Sequence, residues 1–458
     1  MGKILKTVIA GMMVVVLSCT LALPASAQVT LDDVLKRVEA LEKENASLKA
    51  EVLTLKDKQS AQETKIAEVQ VKPTVPAVPA APAGNFLKTG MDISLYGFLK
   101  ADAIFSSRDM GTSNLTVTQT NAQRPTATNG DDPQARITGQ DTRLGLKLKA
   151  PDLDNGGKVT GQFEMDFGNS NTSQGNYTPR LRLAFAQLDF DKWGVNAGQN
   201  WDMFAPLGPN TITPGVLYRA GNLGTRHPQA HIINKWGEFF GGKVTTKLGI
   251  IDSEDTAQED SGMPVAAAYA GYEKNILGVL STFGVGGIYG RSNLVGKGTN
   301  NEGIYATTVG MTLKFTDWLA FKTEGFGGAG LNKFYGGPAQ TYDRYTYSGT
   351  TGTASTVVDN PGKPIPVKGG FAELTLNPTK KLESNFGIGL DDVSKNLAYT
   401  TTEQAYVWDY NKTYYTNLKY SLSKDLLVGI EYQKFYTKWM DGARASDNRV
   451  ESSICYKF

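Results

Sequence analysis

Along most of this chain, apolar and polar residues take turns one by one. In residues 158–167, Val159, Gly161, Phe163, Met165 and Phe167 hold one parity; Lys158, Thr160, Gln162, Glu164 and Asp166 hold the other. A strand turns successive side chains to opposite faces, so such a segment has one greasy and one wet side. The same period of two recurs in residues 93–105, 305–315, 382–390 and 426–432, and in the last ten residues. There Val450, Ile454, Tyr456 and Phe458 oppose Arg449, Glu451, Ser453 and Lys457. Roughly sixteen such segments follow Met91, a number suited to a single-chain barrel crossing a membrane. Short turns are predicted near 151–157, 191–193, 236–238, 275–278, 316–318, 377–380 and 423–425. Long polar loops are predicted near 106–134, 168–178, 252–264, 293–302, 327–368, 391–403 and 438–447. Short connections at one rim and long ones at the other are the habit of membrane barrels. Trp193, Trp236 and Trp318 all fall at short turns, as an aromatic girdle at one interface requires.

The N-terminal part follows other periods. Lys3 and Lys6 precede an apolar run over residues 7–23, and Ala25-Ser-Ala27 supplies small residues for cleavage, so residues 1–27 read as an export signal. Cys19 leaves lipidation as an alternative, though Leu17 fits that motif poorly. Residues 31–69 keep an unbroken heptad, with Leu31, Val38, Asn45, Val52, Gln59 and Ile66 at one seam position. Val34, Leu41, Leu48, Leu55, Gln62 and Val69 hold the other, predicting a coiled coil over residues 28–71. At 1.5 Å per residue the rod would be ~58 Å long. Residues 72–90, rich in Pro and Ala, end the helix and form a semi-rigid extended linker. The expected fold is therefore all-β: a single-chain antiparallel transmembrane β-barrel over residues 91–458, preceded by an α-helical coiled coil and a Pro-rich linker.

Composition refines this picture. No second stretch approaches the ~20 apolar residues of a spanning helix, and Gly 50, Tyr 20 and Phe 19 suit alternating strands. The formal net charge of +2 argues against a nucleic-acid partner. Of the 2 cysteines, Cys19 lies in the signal, leaving Cys455 alone and no intramolecular disulfide.

Ionic preference must then come from where charges sit. Arg143, Lys147 and Lys149 oppose Leu144, Leu146 and Leu148; Arg180 and Arg182 oppose Leu181, Leu183 and Phe185; Lys243 and Lys247 oppose Val244, Leu248 and Ile250. A charge facing lipid at mid-membrane would cost roughly 2–4 kcal/mol, so these basic side chains are expected to line the lumen. Acidic lumen candidates are Asp102, Glu164, Asp166, Glu324, Glu383 and Glu431, and the charges either steer solutes across the bore or merely pair with one another. The segment 204–226, the third outer loop by this count, holds Pro206, Pro209 and Pro214, an apolar patch (Val216, Leu217, Tyr218) and no acid. It either folds into the lumen or covers the mouth. In the first case Arg219 and Arg226 become constriction charges that offer paired donors to carboxylate or phosphate.

Other motifs carry less. Gly284, Gly286, Gly287 and Gly290 resemble a nucleotide loop but no helix follows, so they read as close-packed strand glycines. His227 and His231, spaced for metal on a helix, lie in a strand beside Pro228. Asp202 and His231 lack the third partner of a hydrolase. Neither an enzyme nor a cofactor is expected.

The residues also resemble a known family. An aromatic residue at the end of a final alternating strand resembles the C-terminal signature of bacterial outer-membrane barrels. Leu95-Tyr-Gly-Phe-Leu-Lys-Ala-Asp-Ala-Ile-Phe105, Asp141-Thr-Arg-Leu-Gly-Leu146, Gly198-Gln-Asn-Trp201 and Arg226-His-Pro-Gln229, with the coiled coil and linker, resemble the trimeric dicarboxylate-specific (DcaP-like) porins. Asn200 stands where that pattern has Thr. The resemblance implies a sixteen-stranded homotrimer in outer-membrane lipid with a periplasmic coiled coil, passing small organic anions. It places Arg143, Arg180, Arg182 and Arg226 near the solute path. Phosphate-selective porins share the coiled coil, so a phosphate-type channel is one alternative. Others are a barrel acting as a tether, or as a sheath for a periplasmic or electron-transfer partner.

Overall fold

The structure is a computed structural model that describes residues 90–108, 122, 124, 132–168, 177–252, 262–276, 278–292, 302–337, 364–393 and 407–458. The expected signal peptide, coiled coil and linker up to residue 89, and most of the long connections, lie outside them.

Strand follows strand: β1 (Asp92–Ser106), β2 (Gln134–Thr138), β3 (Arg143–Lys149), β4 (Lys158–Asp166), β5 (Arg180–Asp189), β6 (Trp193–Trp201), β7 (Arg226–Phe239), β8 (Gly242–Ile251) and β9 (Val265–Ile276). The wall continues with β10 (Val279–Ser292), β11 (Glu302–Lys314), β12 (Leu319–Ala329), β13 (Pro366–Thr379), β14 (Leu382–Val393), β15 (Trp408–Ser421), β16 (Leu426–Trp439) and β17 (Arg444–Lys457). All pairings are antiparallel, and β17 closes onto β1 from Phe98–Lys457 to Ser106–Arg449. Gly97 and Phe458 exchange two backbone hydrogen bonds of 3.2 Å, so the terminal aromatic is part of the seam. Closure leaves no edge strand among the described residues, as a bilayer demands of any spanning sheet.

β2 and β3 pair with successive halves of β1, so they occupy one wall position and the barrel has sixteen. Between them the wall buckles inward at residues 139–142. The Thr142 hydroxyl takes up Lys100, accepting from its amide at 3.2 Å, where the ladder skips. That buckle carries Gln140 and Asp141 into the bore.

Alternation correctly assigns most faces. In β16, Glu431, Gln433, Phe435 and Thr437 are buried inside while Ile430 and Tyr432 are exposed outside. Trp193, Trp236 and Trp318 are exposed close to short turns. Four register shifts interrupt the ladders of the described strands, and two of them alter the faces discussed here. In β5 the register passes from Glu164–Leu183 to Met165–Leu181, so Arg182 is an extra residue. An inserted residue flips every face beyond it. Phe185, expected outside, therefore stands opposite the inward Gln162, and Leu183 is buried. In β7 Trp236 is the extra residue, and Gly237 takes φ 79°. The turn expected at 236–238 is instead Phe240–Gly241, both left-handed (φ 48° and 71°), a two-residue hairpin of the kind that matches strand twist. Similarly, the turn expected at 377–380 lies at 380–381, because β13 runs on to Thr379.

Part of the interior is filled like a soluble core. Met203, Phe204, Ala205 and Leu223 pack with wall residues such as Ile251, Val265, Ile288, Ile304 and Phe326, and with Leu331 and Phe334 from the β12–β13 connection.

Candidate functional site: the lumen and its inward loop

The segment between β6 and β7 runs inside the barrel. Its neck is closed at residue 202: Asp202 N donates to Thr225 O at 2.8 Å, Thr225 N to Asp202 Oδ2 at 2.7 Å, and His227 Nδ1 lies 2.7 Å from Asp202 Oδ1. Asp202 is thus partnered by His227 rather than by His231.

From the neck the loop crosses the bore and is held by acids of successive wall strands. Leu207 N donates to Glu324 of β12, and Asn210 N to Glu373 Oε2 of β13 at 2.5 Å. Ile212 N and Thr213 N donate to Glu431 of β16 at 2.7 and 3.1 Å. The Thr213 hydroxyl donates to Glu451 of β17 at 2.5 Å, and Gly221 N to Asp391 of β14 at 2.7 Å. Wall cations take the loop carbonyls: Lys322 Nζ donates to Gly208 O at 2.8 Å, Lys419 Nζ to Asn210 O at 3.0 Å and Lys100 Nζ to Ile212 O at 3.0 Å. A buried carboxylate or peptide group left without such a partner would cost a few kcal/mol, so loop and wall satisfy each other. Val216 and Leu217 pack on Phe371 and Tyr415, the use to which the loop's apolar patch is put.

Glycines let the loop lie flat. A Cβ at Gly286 would come within 1.8 Å of Phe204 O, and one at Gly389 within 2.0 Å of Ala220 O. The strand glycines of β10 are therefore close-approach positions, against the loop as well as between strands.

What the loop leaves open is a cavity of about 740 Å³ on the β3–β8 side. Five basic side chains line it, Arg143, Arg180, Arg182, Arg226 and Lys247, against two carboxylates, Asp141 and Asp202. Asp141 already accepts from Lys100 at 3.0 Å, and Asp202 is held in the neck. Behind the arginines stand Glu164 and Asp166 of β4. Arg180 is bidentate to Asp166 at 2.9 and 2.8 Å; Arg182 reaches Glu164 at 2.7 Å and Asp166 at 2.6 Å; Arg143 is 3.5 Å from Glu164. The extra residue in β5 lets Arg182 span both acids. Arg226 and Lys247 have no carboxylate partner among the described residues. Arg226 sits 4.9 Å over the Trp201 ring, where β6 has parted from β5 beyond Gln199, and Lys247 5.7 Å over Tyr269.

Three expected pore residues are not part of this cavity's lining. Arg219, at φ 59°, donates to Asn332 Oδ1 at 2.7 Å and Gly337 O at 3.2 Å, tying the loop to the β12–β13 connection outside the cavity lining. The constriction role expected of it gives way to a fastening one. Lys147 and Lys243 are each four residues nearer the short-turn rim than Arg143 and Lys247, about 13 Å along the strand. Lys147 is on the inner face over Tyr96 at 5.1 Å, and Lys243 is exposed opposite Glu238 and Glu273.

Among the described residues one trio has metal-ligand spacing: Asp102, Asp141 and Glu451. Lys100 Nζ occupies its centre, at 3.0, 3.0 and 3.4 Å from the three, so the lysine supplies the positive charge there.

No protein-family model and no curated protein matches the sequence. Solved structures match the fold. The outer-membrane channel DcaP of Acinetobacter baumannii aligns over 81% of this chain and 99% of its own, with a TM-score of 0.62 and 20% identity. The anion-selective porin of Comamonas acidovorans aligns over 80% and 100%, at 0.51 and 13%. Pseudomonas putida OprB aligns over 81% and 94%, at 0.50 and 10%. The chain thus has the porin barrel fold.

Proposed function

We propose that this chain is a bacterial outer-membrane porin through which small hydrophilic anions, dicarboxylates among them, diffuse passively. The observation that carries the reading is the division of charge across the bore. Acids of β12–β17 are covered by the inward loop and bonded to it, whereas five basic side chains border the open cavity. A solute in that cavity meets positive potential in a narrow, low-dielectric passage, which favours anions. Arg226 and Lys247, which have no carboxylate partner among the described residues, suit a solute bearing two negative charges. Arginine offers paired donors to carboxylate, and partial hydration keeps each contact brief enough for exit down the gradient. The copies assemble as trimers, with residues 28–71 as a periplasmic coiled coil.

The test is the reversal potential of purified protein in planar bilayers under a salt gradient. Anion preference with insertion in three equal steps is expected. Cation preference would overturn the selectivity, and non-conducting barrels would favour a tether or sheath. Deleting residues 31–69 is expected to leave unit conductance unchanged, because the wall closes on itself without that segment. Loss of the pore in the deletion variant would reject a separate periplasmic rod.

A further inference from the structure

The outer wall carries charges that a lipid-facing surface ordinarily lacks. In β15 Asn411, Thr413, Tyr415 and Asn417 are buried inside, so Tyr410, Lys412, Tyr414 and Thr416 point outward. In β16 Tyr432, Lys434, Tyr436 and Lys438 point outward by the same argument. The register sets Lys412 opposite Tyr436 and Tyr414 opposite Lys434, a checkerboard of two lysines and two tyrosines. Lys412 Nζ lies 5.3 Å from the centre of the Tyr414 ring and 5.8 Å from that of Tyr436; Lys434 Nζ lies 5.2 Å from the Tyr436 ring. The tyrosines meet edge to face at 6.0 Å. Two ammonium groups are therefore gathered on one aromatic ring, and neither has a carboxylate partner among the described residues. Two other outward lysines do have one: Lys438 pairs with Asp409, and Lys368 with Asp392 at 3.3 Å.

Depth in the membrane decides what meets this pair. β15 and β16 have 14 residues each. Strands of that length rise roughly 36 Å at ~3.4 Å per residue and ~40° tilt, against an apolar band of ~25 Å. The surplus is about four residues. Tyr420 and Leu422 place grease at the short-turn end, so the surplus falls at the other rim, where β15 begins and β16 ends. Lys412 is four residues inside that rim and Lys434 five, at the boundary between acyl chains and headgroups. The anions available at that depth are headgroup phosphates.

We propose that Lys412 and Lys434, held on Tyr436 and flanked by Tyr414, form a binding site for a phosphorylated lipid headgroup of the outer leaflet. A phosphate between the ammonium groups relieves their mutual repulsion, and the tyrosine faces carry the upper acyl and sugar carbons. The site lies on the opposite side of the wall from the solute path, so it stands independently of the channel reading.

The test measures retained lipid by native mass spectrometry of detergent-purified protein offered bis-phosphorylated lipid A, or the same lipid stripped of both phosphates. The parent is expected to retain the phosphorylated form alone. Lys412→Ala/Lys434→Ala should weaken retention about thirtyfold, Lys412→Arg/Lys434→Arg should keep it, and Lys368→Ala should leave it unchanged. Conductance of the alanine pair should equal that of the parent, which shows the barrel intact. Equal retention by the alanine pair, or of the phosphate-free lipid, overturns the site. Loss of retention in Lys368→Ala to the same degree reduces it to general surface charge. A changed number of subunits per particle in the alanine pair makes the face a contact between copies instead.

Discussion

Glu431→Ala will open the channel: single-channel conductance rises, current noise increases and anion preference falls. Glu431 accepts the amides of Ile212 and Thr213 at 2.7 and 3.1 Å and so ties the inward loop to β16. Hydrogen bonds to a charged acceptor contribute about 1.5–3 kcal/mol each, so losing two weakens the docked loop by about 3 kcal/mol. That is roughly a hundredfold in the ratio of docked to undocked loop. The barrel itself survives, because its ladders of backbone bonds do not pass through this carboxylate. Undocking also exposes Glu373 and Glu324, acids that the loop now covers, which is why selectivity falls as the pore widens. Glu431→Gln, which keeps an acceptor oxygen of the same reach, should show a fraction of the effect. Bilayer recordings decide the matter. Currents from Glu431→Ala as small and as quiet as those of the parent would mean that the loop is held by something else.

Much of the barrel was legible because its signal is local. Inner and outer faces are both solvent problems, one wet and one greasy, and the strand's period of two writes the answer residue by residue. Val159, Phe163 and Met165 needed no partner to be placed. Where the pattern failed, the cause was a single inserted residue. Nothing in the composition around Arg182 or Trp236 marks a bulge, yet each reverses the faces beyond it, which is why alternation alone puts Phe185 on the outer face.

The loop was harder for a different reason. Its prolines, its apolar patch and its lack of acids were visible, but they fit a lid over the mouth as well as a plug within. The features that place it inside are on the wall: inward glycines such as Gly286 and Gly389, and acids such as Glu373 and Glu431, scattered over a long stretch of chain. Alternation says which way a side chain points and nothing of what stands opposite. An inward position occupied by Gly where bulky polar neighbours are the rule was the one available hint. The same limit explains Arg219, whose place in the loop was plain but whose partners, Asn332 and Gly337, come from more than a hundred residues away. Likewise Glu324 and Glu431 read as acids lining the open lumen, because burial beneath a loop leaves no trace in the alternation.

Arg180→Ala/Arg182→Ala will shift the channel from the proposed anion preference toward cation preference, a larger change than removing Arg226 and Lys247 together. Arg226 and Lys247 have no carboxylate behind them among the described residues, so Arg226→Ala/Lys247→Ala subtracts two positive charges and uncovers nothing. Arg180 and Arg182 instead mask Glu164 and Asp166 through four hydrogen bonds of 2.6 to 2.9 Å. Deleting them leaves both carboxylates facing the cavity, with Arg143 at 3.5 Å as the remaining counter-charge. Breaking buried pairs from one side is destabilising by about 3–5 kcal/mol, so the variant's barrel must be checked by its resistance to heat in detergent. Adding Glu164→Gln and Asp166→Asn to the same chain should recover stability and return selectivity to the anion side, because the masked acids are then gone too. The ordering of reversal potentials is the discriminating result: parent most anionic, then the quadruple variant, with Arg180→Ala/Arg182→Ala at the cation end. If that double variant were as anion-preferring as the parent, the paired arginines would be wall supports and the path of the solute would run elsewhere.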